Sequence, residues 1–371
     1  MKIAVISTVW FPLSHTDVIV SRWVHPYPGD AAFGWTASRS KIASIFIEQF
    51  PENDMGRSFC QRHDLSLFGS IPEALTLGSG ELAVDAVLLI GEHGDYPRNE
   101  YGQKLYPRKR LFDAITEEFR RLGRAVPIFN DKHFSWEFAH SQEMLATAGE
   151  LGFPLYGGSS VPHCPLDPAP PLAEGERVRE AVSLFHGDQD NYGFHTIEFA
   201  QSLVERRLGG EPGVRAVRSF SGESVTQAIK DGEIPQDLVR RALVQHGYPN
   251  ADSIVPFVLE RTEELLAYQI EHVDGMRVTH VRLQKWVTEW VVAMRKESGE
   301  IRSCRAFMGD GTNFHKNFAL LNALVEEFFL SGQPPTPVGR THLATGVLEA
   351  VQKALKSEGQ WVSTPQLSIS Y

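Results

Sequence analysis

Residues 126–133 read Val126-Pro127-Ile128-Phe129-Asn130-Asp131-Lys132-His133, a short apolar run followed at once by polar side chains. A continuous apolar run of this length is typical of a strand that is buried on both faces of a parallel sheet. Similar runs occur at Lys2 to Ser7, Ala43 to Ile47 and Ala86 to Ile90, with helix-like segments between them. The first part of the chain is therefore predicted to be an α/β domain with a doubly wound parallel sheet.

The pattern changes near Gly157-Gly158-Ser159-Ser160, after which strands and helices no longer alternate. Consecutive strand-like segments between residues 265 and 308 predict an antiparallel meander within an α+β domain. Helices are predicted around residues 315–330 and 341–355. We therefore predict two domains, residues 1–160 and residues 161–371, with the last helix packing back on the first domain.

The composition limits the possible partners and the compartment. The chain has 371 residues and a formal net charge of -10, which argues against a nucleic-acid-binding or anionic-membrane-binding surface. No stretch is apolar for the roughly 18 residues that a membrane span needs. The three cysteines, Cys60, Cys164 and Cys304, form no CxxC pair, so a reduced, cytoplasmic compartment is expected.

Two polar clusters directly follow two of the predicted strands. They are Glu92-His93-Gly94-Asp95 and Asn130-Asp131-Lys132-His133. Ligands of open α/β sheets bind outside the carboxyl ends of the strands, so both clusters are expected to face one cavity. Each residue alone is compatible with an ordinary polar loop. Two imidazoles, a lysine and several carboxylates together predict a catalytic or binding site.

The stretch from Val126 to His133 resembles the strand ending in Glu-Lys-Pro of the Gfo/Idh/MocA family, named after glucose–fructose oxidoreductase and inositol dehydrogenase. In that family the lysine is catalytic. Lys132 keeps its place here, while Asp131 replaces the glutamate and His133 replaces the proline. The resemblance implies a Rossmann-like dinucleotide-binding domain followed by a domain with an open, mostly antiparallel sheet.

Three further stretches carry the same resemblance. Residues 190–198 are similar to the family's Asp-x-Gly-x-His segment, in which Asp and His contact the sugar and exchange its proton; His195 matches, and Asp190 is one position off. Glu48 stands where an acid binds the adenosine ribose, and residues 328–346 resemble the family's C-terminal Pro-x-x-Arg-Thr segment. The catalytic residues that the resemblance implies are Lys132, His195, Asp131, Tyr192 and Asp190.

The glycine-rich phosphate loop of dinucleotide-binding domains is missing. Residues 7–15, which follow the first strand, contain no glycine, and Trp10 and Phe11 add bulk there. Backbone amides at the start of the helix near Ser14 are the remaining phosphate donors. If NAD or NADP binds in such a remodelled pocket, the residues expected to hold it are Glu48, Ser14, His15, Glu92 and His93.

Two mechanisms remain open on these residues. In the first, an oxidoreductase transfers hydride between NAD(P) and a sugar, cyclitol or glycoside derivative, with Lys132 and His195 as proton relay. In the second, the cofactor is lost and a Zn²⁺ or Mn²⁺ ion serves a hydrolase, lyase or isomerase. The ligands for that metal are His133, His195, Glu92, His93 and Asp131, with His15 as a further imidazole of the set.

A non-catalytic role and the aromatic residues of the second domain remain to be considered. A non-catalytic scaffold on the same fold is the third possibility, and the many titratable groups at the strand ends argue against it. Trp286 and Trp290 are predicted to lie in the second-domain sheet. Such an aromatic face predicts core packing or a homo-oligomer that forms through the C-terminal sheet.

Overall fold

The structure, a computed structural model, describes residues 1–169, 172–251, 265–308 and 315–371. These residues form two compact units. Unit 1 comprises Met1–Asn99, Lys104–His163 and residues 315–342, and unit 2 comprises the other described residues. The break between His163 and Cys164 lies three residues beyond the predicted boundary. Residues 315–342, which we predicted in the second domain, belong to unit 1, and the unit boundary falls within the last long helix.

Unit 1 contains a six-stranded parallel sheet with the strand order β3-β2-β1-β4-β5-β6. This order, with its reversal between β1 and β4, is that of a doubly wound dinucleotide-binding sheet. The predicted fold of the first domain is confirmed. The strands are β1 (Lys2–Ser7), β2 (Lys41–Ile47), β3 (Leu67–Phe68), β4 (Ala86–Ile90), β5 (Ile128–Asp131) and β6 (Leu155–Gly158).

Both faces of this sheet are covered, which explains why its strands are continuously apolar. Ile3 and Val5 of β1 pack into one core cluster, and Ala4 and Ile6 pack into another on the opposite face. The helix that begins at Asn317 contributes Phe318, Leu321, Val325 and Phe328 to the first cluster, and this packing places residues 315–342 in unit 1.

The helices in chain order are α1 (Arg22–Val24), α2 (Gly56–Arg62), α3 (Ile71–Thr76), α4 (Arg108–Leu122), α5 (Phe138–Leu151), α6 (Tyr192–Val204), α7 (Glu223–Lys230), α8 (Gln236–His246), α9 (Asn317–Ser331) and α10 (Val338–Lys353).

Unit 2 contains an eight-stranded, mostly antiparallel sheet with the order β14-β9-β10-β11-β8-β12-β13-β7. The predicted α+β character of this part is confirmed. The predicted meander is interrupted, because β8 lies between β11 and β12 and pairs in parallel with β11. The strands are β7 (Leu166–Asp167), β8 (Val178–Phe185), β9 (Val214–Ser221), β10 (Leu266–His272), β11 (Arg277–Arg282), β12 (Val291–Lys296), β13 (Ile301–Ala306) and β14 (Val362–Ser363).

Helices pack on both faces of the unit 2 sheet. Ser183 of β8 contacts Thr196 of α6 through their hydroxyls, 2.8 Å apart. The neighbouring Val182 packs on the other side, in a core cluster that includes Ile229 of α7 and Leu238 of α8. Each face of the sheet therefore carries helices in the part that the structure describes, and the homo-oligomer through the sheet stays a prediction.

The helices and cysteines bear on the expectations about membranes and disulfides. Among the described residues, no helix is long and apolar enough to cross a membrane. All three cysteines are described and buried, and no disulfide joins them.

His280 is a buried histidine that makes the stability of unit 2 dependent on pH. It lies on β11, its ring stacks on Tyr268 with centroids 4.8 Å apart, and its Nδ1 is 3.2 Å from Oγ1 of Thr196. Burial lowers the pKa of His280 to about 3, with a smaller contribution from His272. The folded state thus favours the neutral ring, whereas the unfolded chain takes up the proton near its ordinary pKa of 6.5. This stabilisation is complete above the unfolded pKa and is lost as pH falls toward the folded pKa.

We expect His280→Gln, which cannot titrate, to lose less stability than the wild-type protein on acidification. Between about pH 7.5 and about pH 4.5 the difference should be about 3 kcal/mol. Urea unfolding at the two pH values measures it. The matched control is His25→Gln at an exposed position, which should follow the wild type. An equal loss for His280→Gln and wild type would contradict this account.

Candidate functional site

Two residues at the carboxyl edge of the unit 1 sheet have left-handed backbone conformations. His93 follows β4 with φ of 68°, and Lys132 follows β5 with φ of 63°. Non-glycine residues rarely adopt this conformation, and it costs free energy that functional sites often tolerate. The backbone N–H of Lys132 donates to the carbonyl of Gly158 on β6 over 3.1 Å, which holds the turn. Both predicted polar clusters therefore begin at a sharp, fixed turn.

A buried charge network joins the two clusters. Nζ of Lys132 donates to Oε1 of Glu92 over 2.9 Å, and the guanidinium of Arg108 binds the other oxygen of Glu92. Arg108 is fully buried and the side chain of Glu92 is 1% exposed. Burial alone would raise the pKa of Glu92, but the charges of Lys132 and Arg108 outweigh burial and hold it well below the ordinary value. One carboxylate thus compensates two cations.

His133 lies inside this network rather than at an open edge. Its Nε2 is 3.2 Å from Nη1 of Arg108, which is a donor. Burial, and then the charge of Arg108, lower the pKa of His133 well below the ordinary value. The ring is therefore neutral and accepts a hydrogen bond from the guanidinium.

The metal set does not come together. Among the described residues, no group of three or more His, Cys, Asp or Glu side chains is placed to hold a metal ion. Glu92 instead binds two cationic side chains, and His133 faces one of them. The metal-dependent alternative stays a prediction that no observed geometry favours.

His15 and Asp131 form a close pair at the same edge. Nδ1 of His15 lies 2.5 Å from Oδ2 of Asp131, with side chains 12% and 2% exposed. Two rings flank His15 edge-on: His93 at 5.4 Å and Phe318 at 5.1 Å between centroids. His15 is thereby fixed against the end of β5.

His93 faces a cavity. Burial, together with the nearby His15 and Lys132, lowers the pKa of His93 to about 4 against an opposing effect of Glu92, so the ring is neutral near pH 7. Its Nε2 is buried, and the described residues provide no hydrogen-bond partner for it. A cavity of about 540 Å³ opens beside it, at the carboxyl ends of β1, β2 and β4. Its lining is Val9, Phe11, Gln49, Phe50, Pro51, Asn53, His93, Gly94, Asp95, Lys104 and Tyr106.

Backbone N–H groups in the loop after β1 donate hydrogen bonds to side chains of the same segment. Oγ of Ser14 accepts hydrogen bonds from the N–H groups of Phe11 and Asp17, at 3.2 and 3.3 Å. The N–H of Leu13 donates to Oδ2 of Asp17 over 2.9 Å. A carboxylate of the chain therefore occupies the helix start at which dinucleotide-binding domains bind a phosphate. Trp10 is fully buried in the core against Phe59.

Glu48 follows β2, as the resemblance requires, but its oxygens already have partners. The hydroxyl of Tyr96 donates to Oε2, and Arg110 binds Oε1. The Glu48 side chain is 21% exposed, and Arg110 is mostly exposed. A ribose hydroxyl that binds Glu48 would have to compete with these two donors.

The residues predicted around His195 form a cluster in unit 2. Tyr192 begins α6 and stacks on Trp290, with centroids 6.0 Å apart and planes at 14°. His195 lies 5.4 Å from the same indole. Gln352 donates to Oδ1 of Asp190 over 3.3 Å.

Several buried polar atoms in this cluster have no hydrogen-bond partner among the described residues. Nε1 of Trp290, Nε2 of His186 and Nε2 of Gln189 are buried, and the described residues provide no hydrogen-bond partner for them. Buried polar groups are almost always paired, so these atoms suit a ligand with several hydroxyl groups.

Sequence analysis missed two residues that shape the site, Arg108 and Asp17. Arg108 begins α4, where a cation opposes the helix dipole, and this unfavourable placement is a signal that the side chain has another task. Asp17 has the favourable placement of an acid at a helix start, so its sequence context gives no comparable signal.

Solved structures with the same architecture cover nearly the whole chain. GenD2 from gentamicin A biosynthesis, in complex with NAD, has a TM-score of 0.60 at 13% identity over 98% of this chain and 97% of its own. Scyllo-inositol dehydrogenase from Lactobacillus casei has a TM-score of 0.59 at 10% identity, covering 98% of each chain. UDP-N-acetylglucosamine 3-dehydrogenase GnnA from Acidithiobacillus ferrooxidans has a TM-score of 0.56 at 12% identity, covering 97% of this chain and 99% of its own.

The chain has the fold of these dehydrogenases. The Gfo/Idh/MocA-type fold that the resemblance implied is confirmed. No protein-family model matches the sequence, and no curated protein is a significant match. The likeness therefore lies in the backbone architecture, and the activity of this chain depends on its own side chains.

Proposed function

We propose that this protein is an oxidoreductase that transfers hydride between NAD or NADP and a sugar, cyclitol or glycoside derivative. The observation that carries the proposal is Lys132, fixed by Glu92 at the carboxyl edge of a doubly wound sheet. Structures with this fold include dehydrogenases of an inositol and of UDP-N-acetylglucosamine. A third structure with this fold, that of GenD2, is a complex with NAD.

The cavity beside His93 is the place for the cofactor. Its volume of about 540 Å³ is within the usual range for small-molecule sites, about 300–1,000 Å³. Phe11, Phe50 and Tyr106 offer aromatic faces for a nucleotide base, and Lys104 offers a positive charge for phosphate. Nε2 of His93 offers a buried polar atom. The fit differs from the glycine-lined mode, because Asp17 occupies the helix start.

Lys132 supplies positive charge where the substrate oxygen reacts. A nicotinamide cofactor, when bound, accepts or donates the hydride. The ammonium of Lys132 makes one hydrogen bond to Glu92, and further N–H groups of the ammonium can donate to an alcohol oxygen. Such a contact strengthens as the oxygen loses its proton, so it stabilises the transition state more than the bound alcohol. Arg108 holds Glu92 in place for Lys132.

The cluster around Tyr192 in unit 2 is proposed to bind the sugar or cyclitol. The exposed part of Tyr192 provides an aromatic face, and Trp290, His186 and Gln189 provide unsatisfied polar atoms for hydroxyl groups. His195, which contacts Trp290 in this cluster, is the residue that the resemblance implies for proton exchange with the substrate.

Cofactor binding is the direct test of the proposal. We expect the protein to bind NAD or NADP with a Kd between about 1 μM and 1 mM, the usual range for enzyme ligands. Isothermal calorimetry measures it without knowledge of the substrate. Phe50→Ala should weaken binding about tenfold, the usual value of one aromatic contact, whereas Trp361→Ala, at an exposed position in unit 2, should not. Absence of binding of either cofactor at millimolar concentration would reject the proposal.

The substrate class is then screened by the appearance of reduced cofactor. Myo-inositol, scyllo-inositol, glucose and UDP-N-acetylglucosamine cover the cyclitols, free sugars and glycoside derivatives. Oxidation of one of them defines the class.

A further inference from the structure

We infer that His15, held by Asp131, is the catalytic base that removes the hydroxyl proton of the substrate. This inference rests on the proposed function, because it assigns the proton of the same hydride-transfer reaction. It differs from the assignment of that proton to Lys132 and His195.

The geometry of the His15–Asp131 pair supports this role. Nδ1 of His15 lies 2.5 Å from Oδ2 of Asp131, and the Asp131 side chain is 2% exposed. A carboxylate is only an acceptor, so His15 must carry its proton on Nδ1 to make this contact. In the neutral ring the lone pair then lies on Nε2, which is the arrangement of a histidine base oriented by a carboxylate.

Nε2 of His15 remains available to accept a proton. The described residues give it no hydrogen-bond partner, and the ring is partly exposed at 12%. His93 and Phe318 contact the ring edge-on and restrict its rotation. A fixed ring with an accessible lone pair loses little entropy when it meets a substrate hydroxyl.

Lys132 is already engaged as a hydrogen-bond donor. Its Nζ donates to Glu92 over 2.9 Å, and the Lys132 side chain is 4% exposed. An ammonium group has three N–H donors and no lone pair, so in this state it cannot accept a proton. The structure thus separates two tasks between neighbouring residues, because Asp131 orients the base and Lys132 presents a positive charge.

The oxidation of the substrate alcohol removes one proton and one hydride. Nε2 of His15 takes the hydroxyl proton, and the O–H bonding electrons form the second bond of the new carbonyl. The C–H bond of the same carbon breaks, and its hydrogen leaves with both electrons as hydride to the oxidised nicotinamide. The alcohol is oxidised by two electrons, the cofactor is reduced by two electrons, and His15 becomes an imidazolium.

The first test needs no substrate or cofactor. In nitrogen-15 NMR spectra of the protein near neutral pH, assigned by comparison with His15→Gln, we expect His15 as the tautomer with the proton on Nδ1. Its Nδ1 proton should resonate far downfield because of the short contact with Asp131, and Asp131→Asn should shift it upfield. A proton on Nε2 of His15 in the wild-type protein would overturn the inference, since that nitrogen would then be a donor.

The second test is kinetic and uses the screened polyol that the wild-type protein oxidises. His15→Ala should lower kcat about 10²- to 10⁴-fold, the usual contribution of a general base. KM should change little, and added imidazole should restore part of the rate. His25→Ala, at an exposed position, is the matched histidine control and should keep the wild-type rate.

The outcomes separate the inference from the proposed function. If the wild-type protein turns over and His15→Ala keeps its kcat, His15 is not the base, while the proposed function stands. If the wild-type protein binds neither NAD nor NADP, both are rejected. Loss of kcat with imidazole rescue, together with the Nδ1 tautomer, supports both.

Discussion

Replacing Glu92 with glutamine is expected to destabilise the protein by about 3–5 kcal/mol, because it leaves two buried cations without their counter-charge. Glu92 is the shared partner of Lys132 and Arg108, and all three side chains are at most 4% exposed. Glutamine keeps the size of the side chain and one acceptor oxygen but removes the negative charge. Urea unfolding near neutral pH measures the loss.

Two further variants show whether charge is the cause. Glu48→Gln removes a carboxylate from a pair with the mostly exposed Arg110, and such pairs contribute only about 0–1 kcal/mol. The double variant Glu92→Gln with Lys132→Met removes one of the two stranded cations, so it should recover part of the stability that Glu92→Gln loses. A double variant less stable than Glu92→Gln alone would indicate packing rather than charge.

Lys132→Met is expected to lower kcat about 10²- to 10⁴-fold, the range for removal of one group that stabilises the transition state. Methionine fills a similar volume but carries no charge and donates no hydrogen bond. Calorimetric binding of NAD or NADP should change little, because Lys132 does not line the cavity beside His93.

Lys109→Met is the matched control for the loss of a lysine. Lys109 lies on α4 and forms ion pairs with Asp113 and Glu143. We expect this variant to keep the wild-type kcat. An active Lys132→Met protein would reject Lys132 as the charge that stabilises the reacting oxygen, and a rate loss in both variants would point to a general effect of α4 or β5.

Local patterns predicted several elements of unit 1. The apolar runs that predicted β1 and β4 match the strands residue for residue, at Lys2–Ser7 and Ala86–Ile90. One of the helix-like segments predicted between the apolar runs is α4 (Arg108–Leu122). These elements are encoded by periodicity and burial over neighbouring residues, so a single sequence is sufficient to find them.

The arrangement of unit 2 was harder to predict. β8 begins with Val178-Arg179-Glu180 and was missed, although it lies at the centre of the eight-stranded sheet. Its position is decided by pairing with β11 and β12, about a hundred residues further along the chain. Such pairing depends on strands that are distant in sequence, and no local pattern of β8 specifies it.

The sequence by itself determined the fold class, the polar strand ends and the position of Lys132 directly after β5. Only the tertiary structure decided the partners of these residues. Asp131 meets His15 from 116 positions away, and Lys132 meets Glu92 from 40 positions away. Arg108, which was not predicted as a site residue, is the second cation on Glu92. The physical reason is that the strength of a charge or a hydrogen bond depends on distance and burial in space, and neither is a property of a residue's neighbours in the sequence.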